Sequence, residues 1–267
     1  MTPILQARLP FAPWMDARTW RLPGMLPVEG DDWLRVDDAF AAQMAERDRL
    51  FATAAPAVHA LLDRARPAAE ELFDAVLAWL DGQPGYLRGP QGITRPDGVT
   101  VALDRGQPMR TLGRLVQEDL CLMERVGDEQ VLTAAALCFP ASWTLAQKIG
   151  QPMVRIHLPV GEYTPDVARR VQRLFDAIRP GQMLWRANAL VYDDPTLHQP
   201  RPEGVHRPRP ALARYLRSER QSLRRLPVSG AVVFAIHTYV VRLEDLEPAA
   251  RAGLASAGLL PEPVITP

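Results

Sequence analysis

The stretch RSERQSLRRLPVSGAVVFAIHTYVV, residues 217–241, sets a polar, arginine-rich run directly before an apolar one. Between them Leu226-Pro227-Val228-Ser229-Gly230 supplies a proline and a glycine, residues that fix or free φ at a chain reversal. The simplest local reading is an antiparallel hairpin. In its second strand Val232, Phe234, Ile236 and Thr238 share one face and Val233, Ala235, His237 and Tyr239 the other, and both look buried. A helix over residues 210–226 is the rival: Leu212, Leu216, Leu223 and Leu226 fall near helical spacing, and Arg, Gln and Glu are good helix formers. Either way Glu219 and several arginines lie beside an apolar sheet, and buried charge needs a partner or a ligand. A site is expected there.

N-terminal to this hairpin, Leu120 to Val126 and Gln130 to Phe139 flank Gly127-Asp128-Glu129 as a second hairpin, and Trp185 to Tyr192 reads as a strand. Met153 to Leu158 reads as strand-like or extended. Helices are predicted over 39–53 behind Asp37 and Asp38, over 57–80 with Pro67 as a break or kink, and briefly after Arg110. Further helices are predicted over 143–149 ended by Gly150, over 166–178 with Thr164 and Pro165 as cap and first turn, and over 247–257. Residues 84–106, with at most a short strand, and 195–210 read as loops. Residues 1–36, with several prolines and Trp14, Trp20 and Trp33, read as an extended N-terminal arm held by aromatic anchors, and 37–267 as a single domain. Helices early and strands late, without βαβ alternation, favour an α+β fold: an antiparallel sheet with flanking helices against one face.

The 267 residues are 47% hydrophobic, enough for a substantial core. Lys plus Arg equals Asp plus Glu at 31 each, which gives no electrostatic reason for nucleic acid or an anionic membrane as partner. No apolar run reaches the roughly 18 residues of a membrane helix, and Met1 to Trp14 has no signal core, so a cytoplasmic location is expected. Cys121 and Cys138 are too few for a cysteine cage and read as buried hydrophobes. Lys148 is the only lysine, a weak hint that its ammonium is used.

No dinucleotide or P-loop glycine motif and no G-x-S-x-G elbow is present. His59, His157, His198, His206 and His237 make no H-x-x-x-H or H-E-x-x-H pair, so a zinc enzyme is unsupported, although one histidine suffices as a haem axial ligand. His157, in Arg155-Ile156-His157-Leu158-Pro159-Val160, could present an imidazole into a pocket. His237 and Tyr239 could line the same pocket, and His59 decorates a helix.

Cys138-Phe139-Pro140-Ala141-Ser142-Trp143, Lys148-Ile149-Gly150, Ile156-His157-Leu158-Pro159-Val160 and the block Arg217 to Pro227 occur in this order. With Gln117 to Leu122 and Phe234 to Tyr239, this pattern resembles the haem-dependent oxidative N-demethylase alpha-subunit family over roughly Trp33 to Leu246. The resemblance implies a PAS-like domain binding haem b through a histidine, and O2-dependent removal of a methyl group, as formaldehyde, from a small secondary amine such as dimethylamine. It implies electrons from a separate NADPH-dependent flavin and iron–sulfur reductase subunit, with a folate-binding subunit as an optional acceptor of the one-carbon unit. Carried over, His157 is the iron ligand. Glu219 holds a substrate ammonium or relays protons, with a salt bridge to Arg220 or Arg224 as the structural alternative. Lys148, Arg220, Arg224 and Arg225 are the candidates to neutralise the haem propionates. The chain departs from the family pattern at Gly161, where proline is expected, and at Ala189, where an aromatic is expected and whose small side chain would widen the pocket. A non-catalytic haem-binding or gas-sensing PAS-like protein is the alternative function.

Overall fold

The computed structural model describes residues 2–20, 22–159, 161, 163–208, 210 and 212–260. Val160 of the I-H-L-P-V block and the tail from 261 lie outside the described residues. The arm carries a 3-10 turn (Pro13–Met15), α1 (Ala17–Trp20) and β1 (Leu26–Pro27). Then follow α2 (Phe40–Thr53), α3 (Ala55–Val58), β2 (His59–Leu61), α4 (Arg66–Leu80), β3 (Leu87–Gly89), β4 (Gly92–Thr94), β5 (Thr100–Val101) and α5 (Pro108–Leu115). The second half contains β6 (Asp119–Val126), β7 (Glu129–Ala136), α6 (Leu145–Lys148), α7 (Met153–His157), α8 (Pro165–Ala177), β8 (Met183–Ala187), β9 (Leu190–Tyr192), β10 (Tyr215–Arg225), β11 (Val232–Arg242) and α9 (Pro248–Ser256).

The arginine-rich run and the apolar run are β10 and β11, paired antiparallel from Tyr215 opposite Arg242 to Arg225 opposite Val232. The rival helix does not form, because a full-length partner strand overrides a weak helical preference. Gly230, at φ 72°, takes the left-handed backbone the turn requires, and Leu226 N–H donates to Ala231 O at 2.8 Å. Glu71 of α4 accepts from the Val228 and Ser229 amides, both at 2.7 Å, and ties the turn to the helical layer.

The main sheet has the order β1-β8-β10-β11-β6-β7-β2, with β9 also on β10. Its strands pair antiparallel throughout the described residues. A separate sheet, β3-β4-β5, occupies the region read as loops. Alternation on the central strands divides the interior. Leu120, Leu122, Val233 and Ala235 pack with Phe51, Leu72, Val76 and Leu112 of α2, α4 and α5. Cys121, Met123, Val232 and Phe234 pack with Met153, Val171, Leu174 and Phe175 of α7 and α8. The fold is thus α+β with an antiparallel sheet, but helices cover both faces, not one.

Two local expectations fail for a shared reason. Residues 57–80 are not one helix. His59–Leu61 pairs with Ala134 to Ala136 because the edge of β7 needs a partner, and Pro67 lies in the first turn of α4 and not at a mid-helix kink. Met153–His157 is helical, not extended: Pro152 N-caps it and Ile156 N–H closes a turn onto Pro152 O at 2.9 Å. A stretch of five residues fits either period, and tertiary context chooses.

β11 extends beyond β6, whose pairing ends at Ile236 opposite Asp119. Side-chain amides occupy that bare edge. Thr238 O accepts from Gln6 Nε2 at 3.1 Å and from Gln43 Nε2 at 3.0 Å, and Gln6 Oε1 accepts from Val240 N–H at 2.8 Å. The opposite layer tolerates little change. A Cβ on Gly113 of α5 would lie 2.5 Å from Phe51 Cζ and 2.9 Å from Ala136 Cβ. Gly113→Ala should therefore destabilise by about 1–3 kcal/mol in urea unfolding, although alanine is the better helix former. An unchanged midpoint would show that Phe51 yields freely.

Candidate functional site

On the α8 side of the sheet, α7 presents His157. The imidazole Nδ1 lies 2.9 Å from Met153 O, one turn earlier on the same helix. That bond makes Nδ1 the protonated nitrogen and leaves Nε2 with its lone pair, and Nε2 has no hydrogen-bond partner among the described residues. Tyr163 stacks on the ring at 4.3 Å between centroids and 18° between planes. Burial lowers the imidazole pKa against the Met153 hydrogen bond, and the nearby Lys148 ammonium lowers it further, so the ring is neutral and able to donate to a metal. Lys148 donates to Ile156 O, the peptide carbonyl adjoining His157, and lies 5.7 Å from the centre of the Trp143 ring.

The sheet opposite is incompletely covered. Phe234 stands mid-strand on β11, between Leu223 and Cys121 of its neighbours, yet remains partly exposed. Trp143, Ile149, Ile156, Tyr163 and Leu184 of the same cluster are also partly exposed, and Val154 of α7 and Leu158, its C-cap, are 49% and 73% exposed. An open apolar surface beside one neutral imidazole and one ammonium fits a flat, mostly apolar cofactor that bears carboxylates and takes one nitrogen ligand. Among the described residues no group of three metal-ligating side chains offers a cage.

Glu219 is 8% exposed and sits among polar side chains of β10 and the β8–β9 junction. Its Oε2 accepts from Asn188 Nδ2 and Gln221 Nε2, both at 3.1 Å, and Gln221 Oε1 accepts from Arg186 at 3.0 Å. Its Oε1 lies 3.7 Å from the Arg217 guanidinium, which donates to Leu197 O at 2.8 Å and to Phe139 O. The ion partner is therefore Arg217, not Arg220 or Arg224, because odd and even residues of β10 point to opposite faces.

Of the remaining predicted residues, the structure brings only Arg225 to this side. Arg220 donates to Trp33 O and Asp32 O, and Arg224 lies 4.3 Å from the centre of the Trp33 ring, both against the arm. His237 is held between Glu118 and Asp37, and Tyr239 OH accepts from Arg35 at 3.2 Å. Arg225 is on the α8 side but donates to Phe175 O, Ile178 O and Gly230 O, closing the end of α8. Ala189 belongs to the buried cluster of Trp14, Leu216 and Val241, so its small side chain widens nothing beside Glu219. His198 binds Cys138 O at 2.8 Å, and His59 lies on β2, not a helix. Cys121 and Cys138 are buried and unpaired, and burial raises both thiols, Cys138 to about 12, which leaves them inert. Reading the sequence gave no role to Gln221, Arg217 or Tyr163. Asn188 stands directly before Ala189, where the family resemblance expects an aromatic, and that pattern was the signal toward it.

The antiparallel sheet, its partly exposed apolar face and the His157 imidazole lie within one α+β domain. Residues 24–259 match the family model described as HODM_asu-like: haem-dependent oxidative N-demethylase, alpha subunit-like. The chain belongs to that family. No helix among the described residues is long and apolar enough to cross a membrane.

Proposed function

We propose that this chain, with residues 37–267 as one PAS-like domain, binds haem b through His157 Nε2 and removes a methyl group from a small secondary amine of the dimethylamine type. The observation that carries the reading is the His157 geometry, with Nδ1 engaged at 2.9 Å by Met153 O beside an incompletely covered apolar face. The family match supports it. The strand order β7-β6-β11-β10-β8, with α6, α7 and α8 inserted between β7 and β8, supports the PAS-like assignment. Haem held there would supply the O2 chemistry: dimethylamine, O2, two electrons and two protons give methylamine, formaldehyde and water. The electrons come from a separate NADPH-dependent flavin and iron–sulfur reductase subunit, and a folate-binding subunit is an optional acceptor of the formaldehyde carbon.

Each side chain then has a defined task. Lys148, whose charge acts on His157 and whose ammonium reaches Ile156 O, serves a propionate. Arg220, Arg224, His237 and Tyr239 hold the arm and the opposite layer, and Arg225 holds α8. Glu219 accepts the amine N–H at Oε1 while Oε2 stays fixed by the two amides. Dithionite-reduced protein mixed with O2 and dimethylamine should release formaldehyde, and Glu219→Gln should lower turnover about 100-fold with the Soret band unchanged. Haem binding without formaldehyde across a panel of methylamines would favour the gas sensor.

A further inference from the structure

The backbone around Asn188 departs from an ordinary sheet ladder in an informative way. β8 and β9 pair with β10 in one continuous register, Ala187 opposite Arg220 and Leu190 opposite Arg217, which sets Asn188 opposite Glu219. Yet the Glu219 amide does not donate to a main-chain carbonyl. It donates to Asn188 Oδ1 at 2.9 Å, so a side-chain oxygen replaces the backbone acceptor in the ladder. The Asn188 carbonyl takes the Ser218 hydroxyl instead, and the Asn188 amide donates to Glu219 O at 3.2 Å. The remaining polar atom, Nδ2, donates to Glu219 Oε2 at 3.1 Å. Asn188 thus engages Ser218 and Glu219 through its amide, its carbonyl and both side-chain atoms, and is itself partly exposed on the open side.

We infer that Asn188 is a positioning residue that fixes the Glu219 carboxylate by gripping its main chain and side chain together. The inference rests on the role proposed for Glu219. The chemistry selects asparagine. Aspartate could accept from the Glu219 amide but would set a second carboxylate against Oε2, alanine supplies neither contact, and glutamine carries its amide one methylene farther out. A side chain bonded to both ends of a residue removes rotamer freedom that its own χ angles would otherwise retain.

The test compares wild type, Asn188→Asp, Asn188→Ala, Glu219→Gln and the Glu219→Gln/Asn188→Ala double variant, each loaded with haem and assayed for formaldehyde from dimethylamine. Asn188→Asp, nearly isosteric and keeping the ladder acceptor, guards against a folding defect. Both single Asn188 variants should lose about 10- to 100-fold in kcat with a much smaller change in KM. In the Glu219→Gln background Asn188→Ala should cost less than about 3-fold further, because a residue acting through Glu219 has nothing left to position. Separately, hydrogen exchange at the Glu219 amide should quicken at least about 10-fold in Asn188→Ala, a readout independent of turnover. Losses that multiply in the double variant, or an unchanged kcat in both single variants while Glu219→Gln is impaired, would overturn the positioning role alone. Unchanged turnover in Glu219→Gln would overturn the Glu219 reading and this inference with it.

Discussion

His157→Ala is expected to abolish the Soret band that wild-type protein develops on titration with haemin, with affinity falling at least about 100-fold. Loss of a group that merely orients a metal ligand typically costs 10- to 100-fold, and His157 is proposed as the ligand itself. Few alternative ligands remain on that side of the sheet. His198 already directs Nδ1 to Cys138 O, His237 is enclosed in the opposite layer, and both thiols are buried and held protonated. Alanine should be tolerated structurally, because α7 is one short turn held by Pro152 and by Lys148 at Ile156 O. His157→Gly supplemented with imidazole should recover the band, since the cavity under Tyr163 then admits the missing ring. A wild-type Soret band in His157→Ala would move the ligand elsewhere, and a wild-type protein that refuses haemin would reject haem binding altogether.

The hairpin at 215–242 was legible because length, a Pro–Gly turn and a two-residue alternation agree on it, and the same agreement gave the hairpin at 119–136. Alternation also placed His237 and Tyr239 together on one face. What alternation cannot tell is which layer covers that face. Arg220 and Arg224 enter the pocket reading through the family resemblance and His237 and Tyr239 through alternation, although Asp32, Trp33, Asp37 and Glu118, distant in sequence, meet them. α7 failed for a different reason. Over five residues strand and helix periods are indistinguishable, so His157 could be chosen from its motif while its support from Met153 O, which exists only in the helix, could not be seen. The grip of Asn188 on Glu219 requires a strand register, which no single segment contains.

The layer away from the site should dominate stability through His237. Its Nδ1 lies 2.9 Å from Glu118 Oε1 and its Nε2 3.0 Å from Asp37 Oδ2, so both nitrogens donate and the ring is an imidazolium. Burial would lower its pKa, but the two carboxylates outweigh burial and raise it from 6.5 to about 9. The surrounding groups reinforce this: Glu118 Oε1 also takes the Arg35 amide at 2.7 Å, and Asp37 takes Gln117 at 2.7 Å and Gln6 at 2.9 Å. Tyr239 lies 4.7 Å from the ring between centroids, and Arg220 is the register partner of His237 on β10. His237→Ala leaves two buried carboxylates facing a void and should cost about 3–5 kcal/mol in urea unfolding at pH 6. The pH dependence separates charge from packing. A folded pKa above the unfolded one gives stability that is complete below about pH 6.5 and lost as pH rises through about 9. The wild-type advantage should therefore shrink by about 3 kcal/mol between pH 6 and pH 9.5, leaving only the packing loss. A gap that stays constant over that range would mean the ring is neutral in the fold. Because this network joins the arm to β11 on the face opposite Phe234, His237→Ala should still bind haemin wherever it remains folded. Loss of the Soret band in folded His237→Ala would place the cofactor against the arm instead of beside His157.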